Sequence, residues 1–142
     1  MTLPSRVNLI TLGVLDVAAS TAFYERLGWK RSSASNEQVT FFHSYGTVLG
    51  LYGRAALLDD AQLGSGKDGF GGVTFAQTFD SEAEVDTAFA HAIDCGAQLL
   101  KQPQKVFWGG YSGYFADPDG HVWELAYNPF MPLNAEGHMT LP

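Results

Sequence analysis

The chain has 142 residues, 46% of them hydrophobic and 16% charged, with a net charge of −7. That balance describes a packed globular protein rather than a disordered one. The negative charge argues against nucleic acid as a partner, since phosphate binding needs clustered Lys and Arg. No apolar run approaches membrane-spanning length, the N-terminus lacks a basic-then-apolar signal pattern, and the cytoplasm is the expected compartment. The single cysteine, Cys95, rules out an internal disulfide and any Cys-based metal cluster.

Val7 to Val14 reads as a strand. Asp16 follows as a helix N-cap, and Ala19, Phe23 and Leu27 recur at helical spacing before Gly28 stops the helix. Trp29 to Ser35 predicts a short strand. Val39–Phe42 and Val48–Tyr52 form a hairpin across Ser44-Tyr45-Gly46, and Arg54 to Leu63 is helix-prone. The glycine-rich segment 64–69 is a connector.

The same order then begins again. Val73 to Phe79 is strand-like, and Ser81 with Glu84 makes a capping box. Val85, Ala88, Phe89, Ala92 and Ile93 give the apolar face of a helix that Gly96 ends. Gln98 to Val106 is a strand placed at an edge or bulge by Pro103. A closing hairpin, 111–116 and 122–127, turns at Asp117-Pro118-Asp119-Gly120. If all four residues form the loop, Ala116 faces His121, Phe115 pairs with Val122 and Gly113 with Glu124. One face then carries Trp123, Leu125 and Tyr127. The other groups Tyr111, Phe115 and Val122 around Glu124, with room left by Gly113.

Strand, cap, helix, glycine stop and three strands thus occur twice. The expected boundaries are 1–63 for the first module and its connecting helix, 64–71 for a linker, 72–128 for the second module and 129–142 for a tail. One compact domain results overall. The expected fold is α+β, with two βαβββ modules joined in a cupped mixed sheet and helices packed outside.

Leu12-Gly13-Val14-Leu15-Asp16 followed by Ala22 to Trp29, and Asp117-Pro118-Asp119-Gly120 followed by Glu124, resemble the vicinal oxygen chelate superfamily. This group contains glyoxalases, bleomycin-resistance proteins and extradiol dioxygenases. The resemblance implies paired modules that hold a small molecule in a cup, often as a homodimer. It also implies four metal-ligand positions, of which only Glu124 keeps a ligating side chain. The counterparts are Gly50, Leu9, and Thr74 or Val73. A lone carboxylate binds a divalent ion weakly, so no cofactor is expected, and Glu124 is a metal ligand only if a metal is present. The histidines do not complete a site: His43 ends a strand, His91 lies off the apolar helix stripe, His121 abuts the turn and His138 is in the tail.

Two functions follow as expectations. In the first, the protein binds a small apolar or aromatic molecule, with Tyr111, Phe115, Trp108, Phe41, Thr74 and Val122 lining the site. Glu124 then favours a cationic group on the ligand. In the second, it is a lyase, isomerase or dioxygenase-type enzyme in which Glu124 is the catalytic general base or a residual metal ligand. Tyr111 or Thr74 would then act as the polar partner.

Overall fold

The computed structural model describes Leu3 and residues 5–142, which fall into two compact units, Met1–Lys67 and Asp68–Pro142. Each unit contains one β-sheet with a helix packed on one face.

In the first unit, β1 (Leu9–Val14), α1 (Val17–Leu27), β2 (Val39–Phe42), β3 (Val48–Gly53) and α2 (Arg54–Asp60) follow in order. The sheet order is β1-β3-β2, with β1 parallel to β3 and β2 antiparallel to it. Asp16 caps α1 by accepting the Ala19 amide at 3.0 Å, and Gly28 closes it at φ +112°, a conformation glycine adopts without penalty. Burial fixes which face of the sheet meets the helix. Leu12, Val14, Phe42, Leu49 and Leu51 are buried with Phe23 and Tyr24 of α1. Edge-on rings join Phe23 to Tyr24 and Trp29 to Phe42. The Thr21 and Thr40 hydroxyls bridge α1 and β2 at 2.7 Å. Gly50, Phe41, Leu9 and Thr11 consequently line the opposite face.

Two details differ from the pattern expected of this unit. The buried stripe of α1 runs through Ser20, Thr21, Phe23 and Tyr24, and Ala19 is exposed. The segment from Trp29 to Ser35 is no regular strand and makes one bridge, Arg31 to Phe42. Short polar side chains within it and just beyond it compete for the backbone. Ser32 Oγ accepts the Ala34 amide, and Asn36 Oδ1 accepts the amides of Gln38 and Val39.

The second unit is a complete βαβββ. It runs β4 (Thr74–Phe79), α3 (Glu82–Asp94), β5 (Gln98–Lys105), β6 (Tyr111–Ala116) and β7 (Val122–Tyr127), with sheet order β4-β7-β6-β5. Ser81 caps α3 by accepting the Glu84 amide at 3.1 Å, while Glu84 returns to the Asp80 amide at 2.9 Å. Val85, Phe89 and Ala92 are the buried residues of α3, whereas Ile93 is partly exposed. Phe89 meets Phe115 edge to face at 6.3 Å, which places Phe115, Trp123 and Leu125 on the helix side of the sheet. Strand β5 pairs irregularly with β6, shifting register between Leu99 and Lys101 and again between Lys101 and Gln104, around Pro103.

Candidate functional site

The closing hairpin decides what stands beside Glu124. Its loop is three residues long, not four. Asp117 pairs with His121 through an amide-to-carbonyl bond of 2.9 Å, and Gly120 sits at φ +87° with its amide on the Asp117 carbonyl. This is a type I turn completed by a left-handed glycine. The buried Asp117 carboxylate fixes it by accepting the amides of Asp119 at 2.9 Å and His121 at 2.8 Å. The ladder then runs Ala116 to Val122, Phe115 to Trp123, Tyr114 to Glu124 and Gly113 to Leu125.

That pairing is one residue away from the four-residue-loop expectation, and a one-residue slip moves every β6 side chain to the other face. Phe115 therefore does not line the Glu124 face. It is buried against Phe89 on the helix side. Tyr111 likewise leaves the site and donates its hydroxyl to Asp86 of α3 at 2.6 Å. That bond, with partial desolvation and the charges of Asp86 and Glu82, holds the Tyr111 hydroxyl above the usual tyrosine range. Gly113 does not open space beside Glu124 either. A Cβ there would lie 2.7 Å from the Pro103 nitrogen and 2.8 Å from the Lys101 carbonyl, so its smallness serves the β5 bulge.

The remaining expected site residues divide. Val122 lies two residues from Glu124 on the same strand, and Thr74 pairs with Val122 from β4, so both share the Glu124 face. Trp108 folds back over its own turn: a Cβ on Gly110 would meet its ring at 1.7 Å. Phe41 belongs to the first unit, where it stands opposite Gly50 on the face away from α1.

The slip instead brings in Tyr114. It stands directly opposite Glu124 in the ladder, and both residues are partly accessible. Partial burial first, then the Glu124 carboxylate and its negative charge, push the Tyr114 hydroxyl above its ordinary range. Tyr114 therefore stays a protonated phenol at neutral pH, beside the Glu124 side of the ladder. Lys101 pairs with Tyr114 from β5, and Ala76 pairs with Glu124 from β4. One row across the sheet thus reads Lys101, Tyr114, Glu124, Ala76. Tyr114, Lys101 and Ala76 were not singled out by sequence reasoning. The signal that would have found them is the Asp-Pro-Asp-Gly loop counted as three residues closed by its first aspartate.

This row does not fit a chelated metal. Ala76 has no donor atom in its side chain, and Thr74 beside it offers one neutral hydroxyl. Among the described residues, no three His, Cys, Asp or Glu side chains come together as a metal site. His43, His91 and His138 are exposed, and His121 sits on the hairpin stem opposite Asp117. Among the same residues, no helix is long and apolar enough to cross a membrane.

A two-module α+β architecture ending in an Asp-Pro-Asp-Gly hairpin with a pendant glutamate defines a class of small-molecule proteins, and comparison with known proteins identifies it. The chain belongs to the Glyoxalase/Bleomycin resistance protein/Dioxygenase superfamily, whose model matches residues 6–125. It is 34% identical to a glyoxalase-related enzyme from Fulvimarina pelagi, with TM-score 0.86 over 97% of this chain and 99% of that one. It is 25% identical to the metallothiol transferase FosB of Shouchella clausii (strain KSM-K16), over 96% of this chain and 89% of FosB. Lactoylglutathione lyase from Agrobacterium tumefaciens shares the fold at 23% identity, with TM-score 0.67 over 89% of this chain and 96% of that one.

Proposed function

We infer that the protein binds a small organic molecule against the Glu124 face of the second sheet, without a metal, and that Glu124 and Tyr114 are the polar anchor. The observation that carries this reading is the cross-strand pairing of Tyr114 with Glu124 on a partly accessible face. A partly accessible carboxylate offers its lone pairs to a ligand N–H or a cationic group. Val122, Thr74 and Ala76 supply a low wall of mostly apolar contact around it. The ligand that suits this surface is a small apolar or aromatic molecule carrying a positive or N–H-bearing group. The aromatic lining is thinner than Tyr111 and Phe115 would have made it, so the polar anchor carries more of the selectivity.

The test is equilibrium binding of a panel of cationic aromatic compounds, followed by tryptophan fluorescence and calorimetry. Saturable binding is expected, weakened about tenfold or more in Glu124→Gln, because a charged hydrogen bond is worth about 1.5–3 kcal/mol. Absence of saturable binding across the panel, or equal affinity in the variant, refutes the reading.

A second reading is an enzyme of the lyase or isomerase kind with Glu124 as general base. It is supported by the 34% identity to a glyoxalase-related enzyme and by the same cross-strand pair, which sets a phenol beside the carboxylate. Here Glu124→Gln abolishes turnover while the fold persists. Turnover that survives the substitution eliminates it. FosB is named a metallothiol transferase, but the donor set around Glu124 gives no support for carrying metal-dependent transfer to this chain.

A further inference from the structure

The first unit carries a cavity that the reading above does not use. It lies on the α1 side of the first sheet, between α1 and the irregular 31–37 segment, and measures about 550 Å³. The segment that forms its outer wall is the one that fails to become a strand, so the cavity exists because the serines and Asn36 hold the backbone in turns.

Its polar groups have an uneven balance of donors and acceptors. At the floor, Thr21 and Thr40 are 3% and 2% exposed, and their hydroxyls bond to each other. Two hydroxyls carry two protons and that bond uses one, so a buried proton lacks an acceptor among the described residues. Asn36 also lines the cavity, and it spends its oxygen on two backbone amides, so neither of its N–H groups is used in those bonds. Arg31 reaches Glu25 only through Nε, at 3.8 Å, and keeps its other guanidinium donors. Glu25 and Glu37 supply acceptors at the rim, and Val17 and Ala18 form an apolar side.

We propose that this cavity binds an uncharged polyhydroxylated molecule of monosaccharide size. Each ligand hydroxyl both donates and accepts, so it satisfies the spare donors of Thr21 or Thr40, Asn36 and Arg31 and also feeds the two carboxylates. The C–H face of such a molecule packs on Val17 and Ala18. An anion is opposed by two carboxylates against one guanidinium, and a simple cation leaves the amide and hydroxyl protons unpaired. The volume is within the range of small-molecule sites.

Titration of ¹⁵N-labelled full chain with D-glucose, D-ribose and myo-inositol, up to tens of millimolar, tests this by amide chemical shifts. At least one compound should give saturable shifts at Thr21, Arg31, Asn36 and Thr40. Asn36→Asp keeps the oxygen that caps Gln38 and Val39 but removes both donors, and should weaken binding about fivefold or more. The paired replacement Thr21→Val with Thr40→Val removes both buried hydroxyls together and should also weaken it, with the native amide spectrum retained. Glu124→Gln should leave this binding unchanged, which separates it from the site in the second unit. Absence of saturation with all three compounds overturns the proposal. Equal affinity in Asn36→Asp, or tighter binding of acetate or guanidinium, overturns it as well.

Discussion

Asp117 is the residue on which the composition of the Glu124 face depends, and its removal makes a quantitative test. Asp117 is 3% exposed, and its side chain accepts two backbone amides, from Asp119 at 2.9 Å and from His121 at 2.8 Å. In Asp117→Ala both amides lose their partner inside the turn. A hydrogen bond to a charged acceptor contributes about 1.5–3 kcal/mol. The two share one side chain and lie at a surface loop, so the low end for each applies, giving a loss of about 3 kcal/mol. For a chain of this size that corresponds to a fall in Tm of about 10 °C, or to a urea midpoint lowered by about 1.5 M at a slope near 2 kcal/mol/M. Asp117→Asn keeps an oxygen in the same place and should recover more than half of the loss. Chemical denaturation followed by circular dichroism gives the numbers. Cross-strand nuclear Overhauser contacts between the Tyr114 and Glu124 backbones report whether the register holds. An alanine variant within about 0.5 kcal/mol of the parent would show that the carboxylate does not set the turn.

Three further outcomes are expected. The Tyr114 hydroxyl titrates above the free tyrosine range, so its contribution to stability is fully present below the unfolded-state value. That contribution is lost as pH rises through the folded-state value; phenolate absorbance compared with Tyr114→Phe assigns it, and Glu124→Gln should lower the shift without abolishing it. Gly113→Ala places a Cβ within 2.8 Å of β5 backbone atoms and should cost about 1–3 kcal/mol in urea denaturation, with the β5 amides the first to lose hydrogen-exchange protection. Ser81→Ala removes the N-cap bond to the Glu84 amide and should cost about 1 kcal/mol, whereas Ser81→Asp should be neutral within a few tenths.

The helices were legible because their ends are chemical. Asp16 and Ser81 each accept an amide three residues on, and Gly28 and Gly96 hold positive φ where the chain leaves its helix. The closing strands were legible from their aromatic and β-branched content, and the family from the repeat they belong to. The register was not, because strand alternation is blind to whether a loop holds three residues or four. Everything assigned to Tyr111, Phe115 and Gly113 turned on that count. The strand expected at Trp29–Ser35 is cut short for a different reason: Lys30 and Ser32 bond to the neighbouring strand, but Ser32 Oγ then takes the Ala34 amide and turns the chain away.

Among the described residues, strand β5 ends its sheet with only β6 beside it. A regular border of that kind would offer its free amides and carbonyls to any extended segment from another molecule, the usual first step of unwanted oligomerisation. Pro103 withholds one of those donors, the two register breaks spoil the spacing of the rest, and Lys101 and Lys105 add repulsive charge. The same kink that claims Gly113 therefore also helps keep neighbouring copies from zipping together along this border.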